Sequence, residues 1–157
     1  MTGEKRTCGG CTVCCKLPPI SQPGFEKAMG EWCRYCRPQS GCSIHARRPR
    51  LCRRYECSWL MGAGTEEDRP DKSGILCKYY HYRDTGRTMV IMEYAPGALD
   101  SALATAYRRT ALARGEAVMT IPIEGTVSMW LPPQLSHLRQ LDGDTIDDGR
   151  RAEIAYA

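Results

Sequence analysis

Cys8-Gly9-Gly10-Cys11-Thr12-Val13-Cys14-Cys15 stands near the start of this chain, and its theme returns as Cys33-Arg34-Tyr35-Cys36, Cys42, Cys52 and Cys57. Two intervening residues let both thiolates of a Cys-x-x-Cys pair turn back onto one metal, with the amides between them free to donate to sulfur. Gly9 and Gly10 relieve the backbone strain of so tight a loop. Three cysteines at successive two-residue gaps also resemble the opening of a cubane iron–sulfur ligand run, whose fourth thiolate comes from elsewhere. The side chains of adjacent Cys14 and Cys15 diverge, so they serve different metals or one of them bridges. Either way a polynuclear site, or two neighbouring sites, is expected. The Cys8–Cys11 and Cys33–Cys36 pairs are 21 residues apart, slightly more than the roughly 15–20 of a zinc ribbon. The pattern speaks for metal and leaves the choice of metal open.

Nine of the ten cysteines lie between Cys8 and Cys57. Such density marks either a disulfide scaffold or a metal site, and redox compartment separates the two. The opening residues MTGEKRTCGG hold no apolar secretory core, and no run approaches the ~18 apolar residues of a membrane span. The expectation is therefore a cytoplasmic protein with reduced, metal-binding thiols and no membrane segment. The formal charge of +4 counts every thiol as neutral. A site of four thiolates around a divalent metal carries about −2, so two such sites would cancel the excess. That weakens the argument from arginine content to nucleic acid. Hydrophobic and charged contents of 42% and 25% are ordinary for a globular chain. One Phe against eight Tyr and three Trp suggests stability drawn partly from something other than apolar burial.

The remaining patterning predicts an α+β fold. Its parts are a small Cys-rich metal-organised module over 1–62, an α+β part over 63–141 packed on it, and an acidic tail over 142–157. Within the module, Arg48 to Met61 reads as a helix, with Pro49 in the first turn, Gly62 as the stop, and Leu51, Tyr55 and Trp59 on one face. Gly62 to Gly74 is a polar connection. Ile75 to Arg83 and Arg87 to Ala95 read as strands joined at Asp84-Thr85-Gly86. The Ala-rich stretch Ala98 to Arg114, with Asp100 or Ser101 as cap, predicts the one long helix. Ala117 to Ile123 and Thr126 to Leu131 pair around Glu124-Gly125, and Leu135 to Leu141 adds a short helix. The expected sheet is antiparallel, with about four strands.

The Cys8–Cys15 opening resembles that of the YkgJ-type cysteine cluster proteins, described as a zinc- or iron-chelating domain and often as iron–sulfur proteins. The similarity continues through Cys42-Ser43-Ile44-His45-Ala46-Arg47-Arg48-Pro49-Arg50-Leu51-Cys52-Arg53-Arg54-Tyr55. There His45 and Tyr55 replace the commoner aromatic residues. It reaches about residue 75, taking in Arg69-Pro70-Asp71. The resemblance implies metal chelation by Cys8, Cys11, Cys14, Cys15, Cys36, Cys42 and Cys52, with Cys33 and Cys57 as further candidates. His45 could complete a coordination sphere or serve only as a polar substitute for Tyr. Some relatives sit beside or inside modifying enzymes, but no reaction carries over.

Other features have plainer readings. Within the run Arg47, Arg48, Arg50, Arg53 and Arg54, Arg48 and Arg53 are candidates to offset thiolate charge and donate to sulfur, a role favoured over a nucleic-acid patch. Cys77 lies in a Tyr-rich strand and reads as a buried thiol, a reading that also competes for Cys57. Asp142 to Asp148 lacks the glycine and final glutamate of a calcium loop. No Ser-His-Asp pattern or P-loop appears. The functional expectation is a polynuclear thiolate site with a structural or redox role. A 4Fe–4S or other iron centre is slightly preferred to zinc, with one of each also open. The alternatives are a zinc-stabilised binding module or accessory subunit, and a metal-dependent modifying enzyme. Metal ions are the expected partners, with a partner protein second.

Overall fold

The computed structural model describes residues 6–141 and 152–155. Its centre is a mixed sheet, ordered β5-β6-β7-β8-β9, with strands Ile75–Tyr82, Gly86–Glu93, Ala117–Ile121, Val127–Trp130 and Ala152–Ala155. Four shorter strands precede it: β1 Ile20–Gln22 pairs with β2 Phe25–Lys27, and β3 Cys36–Arg37 with β4 Gly41–Cys42. Helices are few. The described residues contain α1 Arg50–Arg54, α2 Pro70–Ser73 and one longer helix, α3 Ala102–Ala113, beside several 3-10 turns.

The sheet is buried on both faces, which explains the near-continuous apolar reading of β6 and β7. Ile75, Cys77, Met89, Ile91 and Val118 point to one face and meet Ala104 and Ala111 of α3. Leu76, Val90, Met92, Met119 and Ile121 point to the other. That second face is covered by the Cys-rich segment through Val13, Leu17, Cys57 and Trp59. The result is three layers, with α3, the sheet and the cysteine-bearing loops stacked in that order.

The β5–β6 hairpin forms where Asp84-Thr85-Gly86 predicts it. Tyr82 faces Gly86, and the Thr85 and Thr88 hydroxyls meet at 2.7 Å. Ser101 caps α3 by accepting from the Ala104 amide. Gly115, at φ +74°, ends that helix, with its amide donating to Leu112 and the next one to Ala111.

Four expectations need correction. The sheet is not antiparallel throughout: β6 and β7 are parallel, as are β8 and β9. The connection through α3 returns the chain to the same end of the sheet, which a tight turn cannot do. The helix expected over Arg48 to Met61 is confined to α1. Beyond Arg54 the backbone is extended at Tyr55, and tertiary bonds to β5 replace helical ones: the Ser58 amide donates to Cys77 (2.7 Å) and Lys78 Nζ to the Glu56 carbonyl (2.7 Å). The acidic tail falls largely on residues 142–151, outside the described residues, while Ala152–Ala155 forms the edge strand β9. The strand expected to reach Ile123 stops at Ile121, because Pro122 has no amide to give the ladder.

Ile91 is fully buried in β6. Ile91→Ala is expected to lower the unfolding free energy by about 2–5 kcal/mol in chemical denaturation. A loss under about 1 kcal/mol would show that the face under α3 is not the tightly packed core described here.

Candidate metal centre

Local turns set the cysteines before any packing does. The Cys11 amide donates to the Cys8 carbonyl at 2.9 Å and the Cys36 amide to Cys33 at 2.8 Å, closing both Cys-x-x-Cys loops in the same way. Cys14 and Cys15 lie in the 3-10 turn Val13–Cys15, whose buried Val13 anchors it to the sheet. The Cys33 amide donates to Cys15 at 2.9 Å and so joins the two groups. Cys36 and Cys42 face each other across β3 and β4, and Cys52 lies in α1.

These loops surround a cavity of about 490 Å³. Eight thiols line it: Cys8, Cys11, Cys14, Cys15, Cys33 and Cys42, together with Cys52 and Cys57. Cys33 and Cys57, the less secure candidates from the sequence, are therefore on its wall. Cys36 is set behind it, with its thiol against Cys15 and the Thr12 hydroxyl. Cys77 is buried in the core on the α3 face, away from the lining. All ten thiols are free, and none forms a disulfide. Among the described residues, no three His, Cys, Asp or Glu side chains converge into a ready-made metal-binding group.

The two arginines proposed from sequence both reach the cavity. Arg48 opposes the rise of the Cys8 and Cys52 pKa values, and Arg53 donates to the Arg48 carbonyl at 3.2 Å. Arg47, Arg50 and Arg54 are exposed and are not part of the lining. His45 also borders the cavity, but its Nε2 is engaged by the Arg48 guanidinium. As placed, that nitrogen is not free for a metal.

Folding also brings in groups that cysteine spacing does not reveal. The Asp71 carboxylate receives two bonds from Arg69, at 2.7 and 3.0 Å, and lies against the Cys11 thiol. Hydrogen bonding from Arg69 holds its pKa below the usual carboxylate range. The only signal for it in the sequence is the triplet Arg69-Pro70-Asp71. Tyr55 borders the cavity close to Cys14 and Cys57.

The donor set fits a thiolate-held metal group. Sulfur is a soft ligand suited to zinc and to iron–sulfur clusters. One buried donor on the wall, Arg48 Nε, has no hydrogen-bond partner within the protein, whereas the Tyr55 hydroxyl lies against that of Tyr80. A metal-bound thiolate or inorganic sulfide would supply an acceptor for Arg48. Comparison of the chain with family models, curated proteins and solved structures returns no match.

Five of the thiols at or beside the cavity are biased toward the neutral form. Burial pushes Cys11 up to about 11, and burial with Cys15 nearby pushes Cys36 up to about 12. Cys15 rises chiefly through its hydrogen bond with Cys14 and then through burial, so these adjacent thiols meet instead of diverging as expected from their sequence positions; Cys8 and Cys52 rise mainly through burial. A folded-state pKa above the ordinary 9.0 means that the metal-free fold favours the protonated thiol. Its stabilisation is complete below that value and is lost as pH climbs through the folded one. The metal-free, reduced protein is therefore expected to unfold at lower denaturant concentration at pH 10 than at pH 7, both pH values lying about either side of thiol ionisation. A midpoint that rises with pH would contradict this placement of the thiols.

Proposed function

We propose that this chain is a metal-binding protein whose Cys8–Cys57 segment holds a polynuclear thiolate site with a structural or redox role. On this reading an iron–sulfur centre is preferred to zinc, and the chain is of the YkgJ-type cysteine-cluster kind that its motifs resemble. The observation that supports it best is the gathering of eight thiols around one cavity with the unpaired Arg48 Nε on the same wall. One ion takes four thiolates in a structural zinc site, so eight exceed the needs of a single nucleus. An iron–sulfur cluster would supply one-electron chemistry, with a potential set by its charge, solvent access and hydrogen bonds to sulfur. Cys8, Cys11, Cys14, Cys15, Cys42 and Cys52 would supply ligands, with Cys33, Cys36 and Cys57 in reserve. Arg48 would donate to sulfur. Metal ligation requires the thiolate form, so loading at Cys8, Cys11, Cys15 and Cys52, whose pKa values are raised, would release protons.

The size of the cavity supports an accessible centre over one enclosed entirely by protein. At about 490 Å³ it lies within the ~300–1,000 Å³ range of small-ligand pockets. This favours a redox or metal-dependent enzyme reading over a purely structural zinc module, the reverse of their order from the sequence. Among the described residues no helix is long and apolar enough to cross a membrane.

Protein purified without oxygen is expected to be coloured, with iron and acid-labile sulfide in stoichiometric amount. Cys14→Ala and Cys15→Ala should lose that colour and metal, while Cys77→Ala should keep both. A colourless protein holding two zinc ions would replace iron with zinc in this reading. Stoichiometric disulfides without metal would overturn it.

A further inference from the structure

We propose that Lys27 is a built-in counter-cation of the thiolate centre and a positioning residue for the two cysteine arms that meet beside it. The proposal rests on the metal-binding reading above and adds a residue that is neither a cysteine nor part of the arginine run.

Lys27 is 8% exposed, at the end of β2. Its ammonium donates to three backbone carbonyls: Lys16 at 2.7 Å, Ala28 at 2.9 Å and Glu31 at 3.0 Å. An ammonium has three donors, so every one is used and the head group is fixed. Lysine is almost never buried without an ionic partner, because removing its charge from water is costly. Here the hydrogen-bond partners are neutral carbonyls, so the positive charge is held in place without being cancelled. The ionisable groups facing it are Cys33, Cys15 and Cys14, together with the exposed side chain of Glu31.

The carbonyls it joins carry the second half of the argument. Lys16 follows Cys14-Cys15 directly, and Glu31 stands two residues before Cys33. Two backbone bonds run alongside, from the Cys33 amide to Cys15 at 2.9 Å and from the Gly30 amide to Leu17 at 3.1 Å. Lys27 thus fastens the end of the first cysteine group to the start of the second. The segment between those groups has no cysteine. It is spent on the β1–β2 hairpin, which places Lys27 opposite Ile20, while the buried Phe25 stacks on Tyr35 at 5.8 Å. A hairpin that delivers a fixed cation to Cys15 and Cys33 gives this insertion a purpose.

The charge acts differently in the two states of the site. Among the ionisable groups facing Lys27 the exposed Glu31 is the one carboxylate, so its charge is only partly balanced within the protein. With four thiolates around a divalent metal, or a cluster of the same net charge, it faces about two further units of negative charge in a partly desolvated site. Loading the centre therefore offsets more of the cost of its burial and shifts the balance toward metal retention.

The test uses the full reduced chain reconstituted with Co²⁺, read by thiolate-to-cobalt absorption in competition with a chelator at one fixed pH. Lys27→Met and Lys27→Gln are expected to weaken Co²⁺ binding about 10–100-fold, and Lys27→Arg to restore it. Thermal unfolding of the metal-free variants separates charge from structure, since the affinity loss should exceed any loss of metal-free stability. If Lys27→Met does not fold, Lys27→Gln, which keeps two amide donors, carries the comparison. Wild-type affinity in the neutral variants overturns the proposal, as does a loss of affinity matched by equal destabilisation of the metal-free protein. No thiolate-to-cobalt absorption in the wild type would refute the metal reading itself, and the role of Lys27 with it.

Discussion

The seam between the cysteine-bearing loops and the sheet depends on a few apolar side chains set among the thiols. Val13 lies between Cys11 and Cys14 in sequence and is 1% exposed; with Leu17 and Trp59 it packs on Leu76, Val90 and Met92. A loop layer with short strands and five-residue α1 cannot bury enough surface to order itself. It borrows the second face of a sheet whose first face is already closed by α3. Anchoring Val13 fixes the turn that carries Cys14 and Cys15, so the apolar contact and the candidate ligands are one structural unit. Trp59 secures the other end, its indole N–H donating to the Thr65 carbonyl at 2.7 Å while Arg6 lies over its ring.

Electrostatics then decides what the cavity can hold. Gathering thiols in partial burial raises the pKa values of Cys8, Cys11, Cys15, Cys36 and Cys52, so the empty fold resists the anionic state at those positions. Basic residues are distributed around the same space: Arg48 and Arg53 on the wall, Lys27 behind Cys15 and Cys33, and Lys78 beside Cys57. Their arrangement reduces the cost of thiolates where they would be bound and leaves it high elsewhere. Burial raises Cys77 strongly, with Cys57 adding to the rise. The same residue type is thus a core filler at one position and a candidate ligand a few residues away in space, according to its neighbours.

What could be read from the sequence follows the range of the interactions involved. The β5–β6 hairpin and α3 were legible because their signals are local: alternation, a Gly-containing turn, an Ala-rich run and a Ser cap. The parallel pairing of β6 with β7 was not, since a strand's neighbour is chosen by the crossover and by burial on both faces. The false helix through Tyr55 and Trp59 has the same origin. Its apolar spacing is genuine, but those residues face the cavity and the core from a chain pulled straight by bonds to Cys77 and Lys78. In the site, Cys-x-x-Cys spacing is itself local chemistry: it points to Cys8, Cys11, Cys14 and Cys33, which border the cavity, and also to Cys36, which is set behind it. Asp71, Tyr55 and Lys27 reach those thiols only through tertiary folding, and no spacing rule connects them to cysteine.

Cys57 joins these layers most directly. It lines the cavity and also belongs to the buried core cluster beneath it, 9% exposed. Its neighbour Ser58 donates to the Cys77 carbonyl in β5, and the Lys78 ammonium bonds the Glu56 carbonyl on its other side. A change at the Cys57 sulfur therefore acts on a residue whose backbone is tied from both sides to the longest hairpin of the sheet. Cys8, on an exposed loop, and Cys52, half-exposed in α1, lack that connection to the core. If the cavity holds metal, ligation at Cys57 would couple occupancy to the packing of Leu76 and Val90, whereas ligation at Cys8 would order only the loop that carries it. The site then has a rigid side built on the sheet and a compliant side open to solvent, an arrangement suited to a centre that must be loaded after the sheet has formed.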